Sequence, residues 1–302
     1  MSKADLVKLV IFGDPKKGRV AEAIEEFIGF ARGKAKVIAN CRIEECKVGV
    51  LREADFAIVF GGDGSIISAA RSLSQSRVPV IGVNLGKLGF LTEFSVDEIK
   101  KLFDDIISGK AAVERRMMLK CSVVRNDVGQ QARGNNTAGV SDGQERFCST
   151  AINDIFITAG PPFRMIELKM SVDGQALADC VGDGLIICTP TGSSAYNLSA
   201  GGPILSAKME AMVVTPLCPH SLSFRPIVIS GESKVDVFGV RVNEGTTVSV
   251  DGQVSCNISC DDVVRIQRSN DGFLIVNNPL RTQWDTLASK LSWAGKPKYE
   301  VI

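Results

Sequence analysis

The hydrophobic pattern of this chain changes period near residue 112, and that change limits the fold more than any other feature. Before it, strand-like and helix-like stretches alternate. Residues 6–12 (LVKLVIF) read as a buried strand, and residues 19–30 place Val20, Ala23, Ile24 and Phe27 at helical spacing. Residues 56–60 (FAIVF) form a short apolar run stopped by Gly61 and Gly62, with a helical stretch at 66–73 and a further strand at 78–83. Ser95 and Glu98 fit a capping box, which starts a helix that Gly109 ends. Strands alternating with helices at this spacing call for crossover connections and a parallel sheet, so the first part is expected to be a Rossmann-like α/β domain.

After residue 112 the runs are short and rich in Val, Ile, Thr and Cys: 119–125, 152–158, 165–172, 185–188, 235–242, 247–250, 263–268 and 273–276. Asp173-Gly174 and Asp251-Gly252 sit between alternating stretches as hairpin signals. This part is expected to be a β-rich, antiparallel, sandwich-like domain. Residues 126–146, polar and rich in Gly and Asn, read as a long flexible loop. The expected division is 1–112 for the α/β domain with its glycine loop, 113–276 for the β-rich domain, and 277–302 for a C-terminal segment. One amphipathic helix at 283–291 in that segment is expected to pack back on the first domain.

Composition narrows the function classes. The charges are balanced, 35 Lys+Arg against 34 Asp+Glu, which argues against a broadly basic surface for nucleic acid. No apolar run approaches the roughly 18 residues of a membrane span, and no secretory pattern opens the chain, so a soluble cytoplasmic protein is expected. Nine cysteines without a CxxC pair, beside a single histidine, lack zinc-site spacing and read as free thiols. No metal held by protein ligands alone is expected.

Eleven of the 29 glycines fall within residues 58–92 and 180–203. The first window carries Gly61-Gly62-Asp63-Gly64-Ser65 between a strand and a helix. Glycines there permit close backbone approach, and a helix start attracts an anion, which suits a phosphate. The loop lacks the Gly-Lys-Ser/Thr ending of Walker A and the GxGxxG spacing. Asp63 is unusual, because a carboxylate among phosphates is repelled unless it meets a metal or takes a proton from an attacking hydroxyl. On the stretch Phe60 to Ser65 alone, an N-capping Asp on a glycine turn is an equal reading. The second window places Thr189, Thr191, Ser193, Ser194 and Ser199 around Gly192, a polar surface suited to a polyhydroxylated ligand, with the Tyr196 ring able to stack on a nucleobase.

Taken in order, Gly61 to Ser65, Asn153-Asp154, Asp183-Gly184, residues 189–196, residues 199–203 and residues 216–222 (PLCPHSL) resemble the NAD kinase family. The GGDG element alone is shared with lipid kinases and 6-phosphofructokinases; the TPTGSSAY and LCPHSLS stretches together are far more specific. The resemblance implies transfer of the ATP γ-phosphoryl group to the 2′-hydroxyl of the adenosine ribose of NAD, with Mg²⁺ or another divalent ion. It implies a homodimer or homotetramer, with NAD, ATP and in some members polyphosphate as small-molecule partners. By the same resemblance Asp63 is the general base or metal-linked anchor near the 2′-hydroxyl, and Gly61, Gly62, Gly64 and Ser65 form the phosphate loop. Asn153 and Asp154 hold the adenine end and ribose of NAD, Asp183 lies near its nicotinamide end, and Thr191, Ser194, Ala195, Tyr196 and Ser199 line the dinucleotide. Three positions depart from the common pattern: Asp154 where many members have Glu, and Ser65 and Ser194 where Thr is commoner.

Some features keep two readings. Phe90, in the run 84–91 (NLGKLGFL), either closes a loop against the nucleotide or anchors a strand-to-helix connection, and Lys87 beside it can neutralise phosphate charge. His220 reads as a hydrogen-bonding residue, Arg225 as a partner for a carboxylate or phosphate or as packing, and Asp251-Gly252 as a hairpin turn that in this family can approach the ligand. A lipid or sugar kinase sharing the GGDG loop is the alternative enzyme. A dinucleotide sensor that binds NADP without turnover is the non-enzyme alternative, disfavoured if Asp63 is an unpaired carboxylate.

Overall fold

The structure is a computed structural model that describes residues 6–86, 88–125 and 144–291. The chain divides into two compact units, one formed by Met1–Arg115 with Leu274–Ile302 and the other by Arg116–Phe273. The run at 273–276, read from sequence as a strand of the β-rich domain, instead joins the parallel sheet of the first unit beside β4 (Val80–Asn84).

The first unit is a mostly parallel α/β sheet. Its chain order is β1 (Val7–Phe12), α1 (Gly18–Ala31), β2 (Ala35–Cys41), α2 (Val48–Glu53), β3 (Phe56–Phe60), α3 (Asp63–Leu73), β4 (Val80–Asn84), β5 (Phe94–Ser95), α4 (Val96–Ile107) and β6 (Val113–Arg116). Far along the chain, β19 (Phe273–Val276) and α6 (Gln283–Leu291) complete it. The sheet runs β2-β1-β3-β4-β19-β6, with β5 beside β4. β1 pairs in parallel with both β2 and β3, so the sheet grows one way from β1 to β2 and the other way from β3 to β4. That reversal is a switch point, where α/β sheets open a crevice at the carboxyl ends of their strands, and the GGDG loop follows β3 there.

The apolar spacing of α1 buries Val20, Ala23, Ile24 and Phe27, and Phe27 packs edge-on to Phe103 of α4 at 5.4 Å. Full burial of the Val, Ile and Phe side chains contributes roughly 1.5–3 kcal/mol each. Ser95 and Glu98 form the expected capping box at the start of α4. Gly109 ends the helix with φ +77°, Gly109 N–H bonding to Ile106 and Lys110 N–H to Asp105, a Schellman motif. The segment after β19 is tied to this unit: Asn278 donates from its backbone N–H to the Glu93 carboxylate at 2.8 Å, and Arg281 pairs with Glu98.

The second unit holds two six-stranded antiparallel sheets. One runs β11 (Gln175–Gly182), β10 (Ile166–Val172), β15 (Val235–Arg241), β18 (Asp262–Arg268), β7 (Leu119–Arg125), β8 (Glu145–Ala151). The other runs β14 (Ile227–Ser230), β13 (Ala211–Leu217), β12 (Gly184–Cys188), β9 (Asp154–Thr158), β16 (Thr247–Val250), β17 (Val254–Asn257). Leu119, Leu168, Val237 and Ile266 of the first sheet and Ile155, Leu185, Val214 and Val248 of the second share one core, so the sheets pack as a sandwich. Asp173 and Gly174, both at positive φ, make the two-residue turn between β10 and β11.

The sequence pattern needs local correction. The run read as one strand over 152–158 begins only at Asp154, because the chain bends at Ile152 and Asn153. Residues 145 and 146, placed in the polar loop, are the first residues of β8. Of that loop, Gln144 accepts from the Arg125 N–H, while 126–143, and Lys87 elsewhere, lie outside the described residues.

Candidate active site

The first candidate region is built at the carboxyl end of β3. Gly62 is the N-cap of α3 and no side chain caps this helix start. Asp63 is therefore the first helical residue, and its carboxylate does not fold back on its own helix as an N-cap would. It accepts instead from the N–H groups of Phe90 (2.8 Å), Leu91 (3.0 Å) and Thr92 (3.0 Å) and from the Thr92 hydroxyl (3.1 Å). The premise of an unpaired carboxylate, used above against a sensor, does not hold.

Gly89 is required by this contact, since a Cβ there would lie 1.9 Å from Asp63 Oδ1. The glycine excess of the first window thus has a specific cause at this position. Phe90 is half-buried, and its backbone rather than its ring makes the contact with Asp63. Ser65 lies against Gly61, where a Cβ would meet the Ser65 hydroxyl at 2.3 Å, and Gly62 and Gly64 are exposed.

The second region lies in the sandwich. The bend between β8 and β9 carries Asn153 and Asp154, and it is pinned by the Asp251 carboxylate in the β16–β17 turn. Asp251 accepts from the N–H groups of Ile152 (3.0 Å), Asn153 (2.8 Å) and Asp154 (3.1 Å), and its own N–H donates to the Asp154 carbonyl at 2.8 Å. Asp251 and Gly252 both have positive φ, so the turn presents this carboxylate to the bend. The pinning was missed from sequence, where Asp251 read as a turn residue.

Asp154 is 4% exposed. Burial, then the neighbouring Asp251 charge, push its carboxyl up from the ordinary 3.8 to about 7, while the Tyr196 N–H works the other way by donating to it. That hydrogen bond brings Tyr196 to Asp154. Tyr196 is 40% exposed, and its ring meets that of Phe156 edge-on at 5.2 Å.

The five hydroxyls around Gly192 do not form one polar surface. Thr189 and Ser193 are fully buried and serve the local fold: Thr189 donates to the Ile152 carbonyl and accepts from Gly192 N–H, and Ser193 donates to the Pro190 carbonyl and accepts from Leu205 N–H. Their surroundings offer backbone groups that need partners, and short hydroxyls are the side chains that reach them. Ser194 donates to the Thr191 carbonyl, and Ser199 is exposed. The Thr191 hydroxyl is buried with no hydrogen-bond partner among the described residues. From Gly192 the chain makes a 3-10 turn (Gly192–Ser194) and then a single helical turn, α5 (Tyr196–Ser199), with Ala195 as its N-cap.

Gly192 packs so closely on Asn153 that a Cβ would lie 2.0 Å from the Asn153 carbonyl oxygen, and Thr189 N–H donates to the same carbonyl at 2.9 Å. The structure thus brings Asn153, Asp154, Thr191, Ser194, Ala195 and Tyr196 into one neighbourhood. Asp183 is exposed just before β12, where its carboxylate accepts from the Cys218 thiol. His220 is exposed, and Arg225 donates to the carbonyls of Leu222 and Phe224. Among the described residues, no group of three His, Cys, Asp or Glu side chains is placed to hold a metal ion.

Two family models match the chain: the ATP-NAD kinase N-terminal domain over residues 26–111 and the ATP-NAD kinase C-terminal domain over residues 152–278. A curated NAD kinase of Geotalea daltonii is 36% identical over 296 residues, covering 95% of this chain and 98% of that protein. The NAD kinase of Geobacter sulfurreducens is 40% identical over 240 residues, covering 80% and 79%. Among solved structures, yeast NADH kinase complexed with NADH aligns with a TM-score of 0.80 at 25% identity, over 99% of this chain and 91% of that one. An Archaeoglobus fulgidus NAD kinase in complex with ATP shares the fold at a TM-score of 0.68 and 24% identity, over 95% and 98%. With both domain models matched and full-length relatives above 30% identity, the chain belongs to the ATP-NAD kinase family.

Proposed function

We infer that this chain is an NAD kinase: it transfers the γ-phosphoryl group of ATP to the 2′-hydroxyl of the adenosine ribose of NAD, making NADP. The observation that carries this is the 36% identity to a curated NAD kinase along nearly the whole of both chains. Phosphoryl transfer asks a protein chiefly for alignment and for partners to the phosphate oxygens. The uncapped start of α3 after Gly61 and Gly62, with Gly64 and Ser65 in its first turn, suits a phosphate group.

Asp63 is assigned the ribose hydroxyl, whose proton it accepts late in the transfer. Three of its four hydrogen bonds end on Oδ1 and one on Oδ2, so Oδ2 keeps the greater accepting capacity. Asn153 and Asp154 are assigned the adenine end and ribose of NAD, and Asp183 the nicotinamide end. Thr191, whose hydroxyl lacks a partner among the described residues, is assigned to the dinucleotide with Ser194, Ala195, Tyr196 and Ser199, and Phe90 is assigned to it from its own loop.

The divalent ion is assigned to the ATP phosphates, since Mg²⁺ keeps waters and phosphate oxygens and needs few protein ligands. The ion is then part of the substrate. Assembly as a homodimer or homotetramer, a cytoplasmic location and use of polyphosphate belong to the same proposal and rest on family likeness alone. In domain terms, residues 1–112 take the phosphate role, 113–276 the NAD role, and 277–302 support the first. The test is the purified protein with Mg²⁺, ATP and NAD, coupled to an NADP-specific dehydrogenase. Absence of signal across divalent metals and pH would overturn the inference.

A further inference from the structure

The Thr92 side chain was not singled out in the sequence, yet it is fully buried with its hydroxyl saturated. It donates to Asp63 Oδ1 at 3.1 Å and accepts from Gly89 N–H at 3.1 Å and from the Asn84 amide nitrogen at 2.9 Å. The Asn84 amide is itself oriented, because its oxygen accepts from Gly86 N–H at 2.6 Å and so its NH₂ faces Thr92. A hydroxyl has one proton and two lone pairs. Two of Thr92's three partners are donors only, so its single proton has one destination, the Asp63 carboxylate. The direction of this hydrogen bond follows from chemistry and needs no observed hydrogen.

Resting on the reading of the chain as an NAD kinase, we propose that Thr92, oriented by Asn84, is a positioning residue for phosphoryl transfer that locks the Asp63 carboxylate and leaves Oδ2 as the acceptor for the reacting hydroxyl. The Leu91 and Thr92 N–H groups complete the hold on Oδ1. A carboxylate free to rotate about its Cβ–Cγ bond would offer either oxygen, and misplacement of a reacting group by about 1 Å costs on the order of 10²-fold in rate. Thr92 touches neither substrate in this scheme; it acts through Asp63.

Thr92→Val keeps the shape and removes the hydroxyl, and Thr92→Ser keeps the hydroxyl. In the coupled assay, Thr92→Val is expected to lower kcat about tenfold or more while KM for ATP and for NAD moves less than about threefold, and Thr92→Ser is expected to recover most of kcat. Asn84→Asp replaces the NH₂ donor with an acceptor that competes for the Thr92 proton. It is expected to lower kcat in the parent chain and to cost nothing further in the Thr92→Val chain, a coupling that general destabilisation does not produce. A folded Thr92→Val protein with parental kcat, or a Thr92→Ser protein as slow as Thr92→Val, would overturn the proposal. If Thr92→Val does not fold, Asn84→Asp decides, and parental kcat there overturns it. A parent chain that makes no NADP refutes the functional reading itself, and this proposal with it.

Discussion

The two candidate regions are built on the same device with different consequences. In each, one carboxylate collects the N–H groups of three consecutive residues from a loop distant in the chain: Asp63 holds residues 90–92, and Asp251 holds residues 152–154. The gripped loop in each case carries candidate ligand residues, Phe90 in one and Asn153 with Asp154 in the other. The difference lies in what the gripping carboxylate is free to do. Asp63 is itself the candidate proton acceptor, whereas Asp251 serves from behind, and its charge burdens the buried Asp154. The comparison teaches that a site aspartate can be structural and chemical at once, and that the two duties must be separated by experiment.

The largest effect is expected at Asp63. Asp63→Asn should lower kcat by at least about 10²-fold. An amide in place of Oδ2 opposes the Phe90 N–H, so a stability loss of about 1–3 kcal/mol should accompany it. Near-parental turnover in a folded Asp63→Asn protein would reduce Asp63 to a loop tether like Asp251. The coupled assay and a thermal melt together separate the two duties.

Asp251→Asn should cost stability on a similar scale, about 1–3 kcal/mol, because an amide nitrogen must then face a backbone N–H at the bend. Since the bend carries Asn153 and Asp154, KM for NAD should rise more than KM for ATP, with kcat changed less than by Asp63→Asn. Equal movement of both KM values would argue that the bend does not serve NAD.

Gly192→Ala and Gly89→Ala test the close approaches. A Cβ would lie 2.0 Å from the Asn153 carbonyl oxygen in the first case and 1.9 Å from Asp63 Oδ1 in the second, so in each the backbone must move. Overpacking of this kind costs roughly 1–3 kcal/mol. Gly89→Ala should also lower kcat, and Gly192→Ala should chiefly raise KM for NAD; the reverse pattern would contradict the assignment of the two regions.

The last expected effect is a pH dependence. The Asp154 carboxyl is pushed from 3.8 up to about 7 in the folded protein. Between those values the folded state holds a proton that the unfolded state has lost, so this group's contribution falls as pH rises through the window and is least favourable above it. Asp154→Asn removes the ionisation. Its melting temperature relative to the parent should therefore be higher at pH 8 than at pH 5. A difference that stayed flat, or grew toward low pH, would show that Asp154 is not held in the buried, like-charged setting described.

Much of this was legible in the chain. The capping box at Ser95, the turn at Asp173-Gly174 and the helix at Gln283–Leu291 depend on neighbours within a few residues, where local chemistry decides. β8 was not legible, because its residues ERFCSTA show little apolar alternation and its place comes from pairing with β7, Leu119 against Ala151. Thr189 and Ser193 looked like ligand-facing hydroxyls. Only the packing shows that they satisfy buried backbone groups.

By itself the sequence determined the two architectures and the family, since a change of hydrophobic period and a set of ordered motifs are properties of the chain alone. Tertiary structure decided which carboxylates hold which loops. Asp63 and Thr92 are separated by 29 residues, and Asp251 and Asn153 by 98. A hydrogen bond acts over about 3 Å and depends on direction. No local pattern encodes such a meeting, and it exists only once β-strands far apart in sequence have been brought side by side.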